Sequence, residues 1–184
     1  MRTAGGLALL VAVIGCSGRD SSDRAAVDSL LASYSPEFRI GATVGELERV
    51  HSWTFSQPYG GEAFGTTALP RYGAATATVF VDAEGDSVEH ADRARAFAFV
   101  PDTGDSREAA VARLMQEHAS KYLGAGHDLG CTVGSIAPAR VWGWDAGRYL
   151  VRLYRPEPKT ARGTGVRLVI GENGFDSTRV RPCG

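Results

Sequence analysis

With 184 residues, 43% of them hydrophobic and 22% charged, the chain has enough material for one good core or two small ones. Its 20 basic and 21 acidic residues give a net charge of −1, which excludes the strongly basic signature of a dedicated nucleic-acid binder. Past residue 15 no apolar run reaches the roughly 20 residues that a membrane-spanning helix needs.

The chain opens Met1-Arg2-Thr3, runs apolar over residues 4–14 and reaches Gly15-Cys16. A basic start, a short apolar run and a small residue are the layout of a secretory signal. Val13-Ile14-Gly15-Cys16 resembles the lipobox of bacterial lipoproteins. The resemblance implies cleavage before Cys16, a diacylglycerol on its sulfur, and acylation of the new amino group with a fatty acid such as palmitate. Residues 1–15 then form the signal peptide, 16–22 the lipidated cysteine with a short polar tether, and 23–184 a single domain facing the periplasm. An ordinary cleaved signal with an incidental cysteine is the alternative. Ser17 stands where lipoproteins held at the inner membrane carry Asp, so the resemblance implies the outer membrane in an organism that has one.

Three cysteines in an exported chain leave one odd. With Cys16 lipidated, Cys131 and Cys183 remain as an even pair, and an oxidising compartment predicts a disulfide between them.

Along the mature chain, Val27, Leu30, Leu31 and Tyr34 share one helical face and predict a helix over 23–34, ended by Pro36. Thr43-Val44-Gly45-Glu46 fits a capping box for a second helix over 44–51 that buries Val44, Leu47 and Val50. Residues 57–75 are rich in Gly and Pro and read as a long loop. Strands are predicted over 76–81, 88–90 and 94–100, where Val79, Phe80, Val81, Phe97, Phe99 and Val100 supply β-branched and aromatic content. Asp105-Ser106-Arg107-Glu108 offers another capping box, opening the longest helix, which runs to about residue 123. Val111, Leu114, Met115, His118 and Tyr122 form its apolar stripe, and Gly124 its stop. After a Gly-rich stretch over 124–134, strands at 140–144 and 148–155 flank a three-residue turn at Asp145-Ala146-Gly147. A strand over 166–170 completes the meander.

Helices alternating with meanders predict an α+β fold: antiparallel sheet, helices packed on one face, and room for two similar halves, 23–102 and 103–184. Ile40-Gly41-Ala42-Thr43, followed by Glu46-Leu47, resembles the helix entry of the SmpA/BamE-type small outer-membrane lipoproteins, with Ala42 where that family has Met. The resemblance covers a short segment and the order of elements. It implies helices on an antiparallel meander, a unit that, doubled, builds the secreted β-lactamase inhibitory proteins. It carries over no functional residue and points to a binding module.

The chemistry-bearing candidates are few. His127, Asp128 and Cys131 supply the residue types of thiol catalysis, but parity assigns Cys131 to a disulfide. His51, His90 and His118 lack metal-site spacing, and His118 falls on the apolar stripe. Asp82, Glu84 and Asp86 alternate like calcium ligands, yet Ser87 replaces the expected Gly and Arg93 the closing Glu. No cofactor or metal is predicted.

Alternation through the last meander sets Val141, Tyr149, Val151 and Leu153 on one face, joined by Val166, Leu168 and Ile170. Trp142, Trp144, Arg148, Leu150, Arg152, Tyr154 and Arg167 fall on the other. Residues 139–184 hold nine basic against four acidic residues, and residues 82–117 hold four against nine. An arginine and aromatic face suits an envelope protein or glycan partner. Packing of that face beneath the first half of the chain is the other reading. In function classes, a non-enzymatic binding or structural lipoprotein stands against a small envelope hydrolase with a dispersed site.

Overall fold

The computed structural model describes residues 17–69, 75–101, 107–134, 138–156 and 165–183. Residues 1–16, with the predicted signal and Cys16, lie outside these, as do Asp105 and Ser106 of the second predicted capping box. The described chain is α+β, with three helices and nine strands in one antiparallel sheet.

Helix α1 (Ser17–Tyr34) buries Val27, Leu30, Leu31 and Tyr34, the face that the spacing predicts. It starts earlier than expected: residues 17–22 are a helical extension rather than an irregular tether, with Arg19, Asp20, Ser21 and Ser22 exposed. Helix α2 (Val44–Glu48) carries its predicted capping box, for Glu46 N donates to Thr43 Oγ1 and Thr43 N donates to Glu46 Oε2. It ends sooner than predicted, and Val50 beyond it is 59% exposed rather than buried. Helix α3 (Glu108–Leu123) opens at Arg107 with no side-chain cap. Its buried contacts come from Ala112, Met115 and Ala119, with Val111 and Tyr122 at their flanks. Leu114 of the predicted stripe is 51% exposed, because close helix packing favours alanine where backbones approach.

The strands are β1 (Thr54–Phe55), β2 (Glu62–Leu69), β3 (Ala75–Asp82), β4 (Arg93–Val100), β5 (His127–Thr132), β6 (Ala139–Ala146), β7 (Tyr149–Pro156), β8 (Arg167–Glu172) and β9 (Val180–Arg181). They lie in the order β1-β2-β3-β4-β8-β7-β6-β5-β9, so one meander meets the other through the β4–β8 pair. Strand β2 runs through the predicted long loop. Its small residues hide it: a Cβ on Gly65 would lie 2.5 Å from the ring of Phe55, so glycine is what lets β1 fold over it. Strand β5 occupies the Gly-rich stretch for a similar reason, as a Cβ on Gly130 would lie 2.1 Å from the Arg181 carbonyl oxygen. Residues 88–90, predicted as strand, belong to the connection before β4.

Buried side chains form two clusters. The larger takes Val27, Leu31 and Tyr34 of α1, Val44 and Leu47 of α2, and Ala112, Met115 and Ala119 of α3. Its strand residues include Val79, Phe97, Phe99, Trp144, Val151, Leu168 and Ile170. Phe38 stacks on Phe97 and Tyr34 on Phe99, which ties the first connection to β4. The smaller cluster holds the alternate strand positions Ala98, Val141, Leu150, Tyr154 and Val169, and no residue of a helix.

Candidate functional site

The predicted arginine and aromatic face is divided by the β6–β7 turn. Ala146 pairs with Tyr149, so the turn consists of Gly147 and Arg148 alone, with Gly147 at φ +60. A two-residue turn with its first residue left-handed matches strand twist, and it pairs Trp144 with Val151 rather than with Arg148, a displacement of three residues whose odd number reverses the faces of β6. Trp142 therefore pairs with Leu153 and Trp144 with Val151, inside the larger cluster. Trp144 is 4% exposed and donates its Nε1 proton to Ser120 Oγ at 3.2 Å, the reverse of the solvent-facing position predicted for it. Trp142 is half-buried against the same cluster. Arg148 sits at the turn, its guanidinium 5.4 Å from the Tyr149 ring centre. Of the predicted face, Arg152, Tyr154 and Arg167 share a side, together with Val141, which had been expected opposite them.

The C-terminal segment covers that side. Cys131 of β5 is disulfide-bonded to Cys183, with Cα atoms 5.1 Å apart, as cysteine parity predicts. Phe175 packs on Phe80 at 4.7 Å between ring centres. Asp176 accepts from the Tyr154 hydroxyl and, at 2.9 Å, from Thr178 N. Arg152 lies 3.9 Å from the Asp176 carboxylate and donates to the Thr178 carbonyl at 3.1 Å. Burial pushes the Asp176 carboxyl upward, but the Thr178 and Tyr154 bonds and the Arg152 charge outweigh it and hold the group below its ordinary value. Burial raises the Tyr154 hydroxyl. Tyr154, 2% exposed, is a floor residue and not the solvent-facing aromatic that alternation suggests.

Where this segment meets the sheet it leaves a cavity of about 440 Å³. Thr132, Tyr154, Arg167, Ser177, Thr178 and Arg179 are among its walls. The Arg167 guanidinium lies over the Tyr154 ring at 4.4 Å from its centre. Thr132 Oγ1 accepts from Ala139 N at 3.0 Å, which leaves its hydroxyl proton to donate. Arg140 and Arg152 are engaged by Asp128 and Asp176. Among the described residues no carboxylate pairs with Arg167 or Arg179. Sequence reasoning selects Arg167 but misses Arg179, Ser177 and Thr178, because the disulfide, the β5–β9 pair and the Arg152 and Asp176 contacts bring residues 177–179 back against the sheet and no local pattern marks them.

The remaining polar clusters make poor catalysts. Asp128 turns to Arg140 and to Gly130 N, not to His127, and those contacts lower its carboxyl below the ordinary value. The disulfide removes Cys131 as a nucleophile. Ser35, Glu37 and His51 converge unannounced by their spacing. Yet Ser35 Oγ and Glu37 Oε1 both lie 2.8 Å from the same ring nitrogen, His51 Nε2. A base-and-orienter arrangement needs them on opposite nitrogens, so the cluster joins the end of α1 to the chain after α2. His118, half-buried beside Tyr34 and Tyr122, bonds Ser33 Oγ at 2.7 Å. Burial, reinforced by Lys121, lowers its pKa, a satisfied interior histidine rather than a ligand.

Among the described residues no three His, Cys, Asp or Glu side chains are grouped to hold a metal ion, and no helix is long and apolar enough to cross a membrane. No protein family, curated protein or solved structure matches the chain.

Proposed function

We propose that the chain is an exported lipoprotein, anchored through Cys16, whose α+β domain is a non-enzymatic binding module for an envelope protein or glycan. The observation that carries this reading is the Cys131–Cys183 bond. A disulfide suits an oxidising compartment, and it leaves Cys16, directly after a signal-like apolar run, as the odd cysteine. The beginning of α1 adds support. Residues 17–22, exposed from Arg19 to Ser22, span about 9 Å as helix, a stem that would hold the domain close above the lipid. The outer membrane follows from Ser17 by the lipoprotein resemblance.

The architecture supports the binding reading on two counts. Because the larger cluster takes in residues of α1, α2 and α3 and the smaller takes none, we infer that the helices cover one face of the sheet. The other face is then left to the C-terminal segment and to ligands. The meeting of the meanders at β4 and β8 is also in keeping with two related halves, 23–102 and 103–184, as in the doubled SmpA/BamE-like unit. For the hydrolase alternative, the Ser35–Glu37–His51 geometry offers no support, since both partners meet one ring nitrogen.

Replacing Cys16 by Ser should move the protein from the membrane fraction to the soluble fraction and abolish labelling by an alkyne fatty-acid probe. Unchanged fractionation with no labelling of the wild type would reject the anchor.

A further inference from the structure

We propose that the cavity between the C-terminal segment and β5–β8 binds an anionic sugar, one ring bearing a carboxylate or a phosphate. The proposal deepens the reading of the domain as a binding module but does not depend on the anchor. At about 440 Å³ the cavity falls within the size range of small-molecule sites. Arg167 and Arg179 both line it, and no carboxylate among the described residues pairs with either guanidinium. Guanidinium is suited to paired hydrogen bonds with carboxylate or phosphate oxygens. Arg167 is held against the Tyr154 ring, so little side-chain freedom is lost when it takes up an anion. Asp176, beside Tyr154, is occupied by Tyr154, Thr178 N and Arg152 and does not present a free charge to the ligand.

The hydroxyls specify the rest of the ligand. Thr132, Ser177 and Thr178 line the same space, and hydroxyls both donate and accept, as the alcohols of a sugar ring require. A site for a bare anion would have use for donors alone. The walls are also fixed before binding, by the Cys131–Cys183 bond on one side and the Asp176 contacts on the other.

Calorimetric titration of the full chain carrying Cys16→Ser tests this with four probes: glucuronate, glucose 6-phosphate, glucose and inorganic phosphate. At least one charged sugar should bind about tenfold or more tightly than glucose and inorganic phosphate, the factor that a hydrogen bond to a charged group confers. Which one binds identifies the anion as carboxylate or phosphate. Arg179→Gln, a change at an exposed residue, should weaken that binding about tenfold or more with the melting temperature unchanged. Inorganic phosphate binding as tightly as the sugars, or an Arg179→Gln protein binding as the wild type does, would overturn the proposal. So would the absence of heat from both charged sugars at about 10 mM, the limit of millimolar affinity. Each of these failures leaves the anchored-module reading to its own fractionation test.

Discussion

Trp144 and Asp176 are the residues on which the two clusters turn. The Trp144 indole fills the larger cluster and its N–H is satisfied by Ser120 Oγ on α3. Trp144→Ala removes both and should cost about 3–5 kcal/mol, as large aromatic truncations in cores do, measured by urea denaturation. A change under 1 kcal/mol would place the indole in solvent. Asp176 gives a pH-dependent counterpart. Its folded pKa lies below the ordinary carboxylate value, so its contribution is present above that ordinary value and is lost as pH falls through the folded one. Asp176→Asn should therefore destabilise the protein by about 1–3 kcal/mol at neutral pH, and the difference from wild type should vanish in acid. A difference that persisted in acid would separate the loss from the carboxylate charge.

Among the elements, the C-terminal segment depends most on a single bond. Residues 173–183 contribute little apolar surface beyond Phe175 and Val180, and only two residues of β9 pair with β5. Closing a loop of 52 residues contributes about 4 kcal/mol in the chain-entropy model. Reduction, or Cys183→Ser, should raise hydrogen exchange in residues 176–183 first while the amides of β3, β4 and β8 stay protected. Uniform loss of protection would mean that the bond supports the whole sheet. The same elements show what the sequence could convey. Helix α1 was legible because four large apolar residues mark its face, and α2 because Thr43 and Glu46 form a reciprocal cap. Strands β2 and β5 were not, since their defining contacts are glycines that admit Phe55 and the Arg181 backbone, and a missing side chain leaves no periodicity. In α3 the alanines Ala112 and Ala119 do the packing, while the larger Leu114 points outward, so a stripe judged by size misplaces the face. The meander face failed in two ways: in the register of β6, and in the C-terminal segment that covers Tyr154. Parity was right within β7 and β8, but the two-residue turn at Gly147 and Arg148 moved β6 by three residues, an odd number, and carried Trp144 into the core and Trp142 against it. That displacement left the arginine site to residues remote in sequence, with Arg167 visible and Arg179 hidden.

Taken whole, the described residues form a nine-stranded antiparallel sheet with one buried cluster that takes in helix residues, a smaller one that takes none, and a disulfide-held C-terminal segment. On the proposed reading, α1 rises from a lipid on Cys16, and the domain presents its arginine-lined cavity to ligands near the membrane surface. The most direct test is the intact mass of the protein purified with detergent from its own membranes, followed by mapping of unreduced peptides. The expected result is a chain that begins at a diacylated Cys16 and contains a linked Cys131–Cys183 peptide pair. A chain that keeps residues 1–15, or one in which Cys16 is an unmodified thiol, would contradict it.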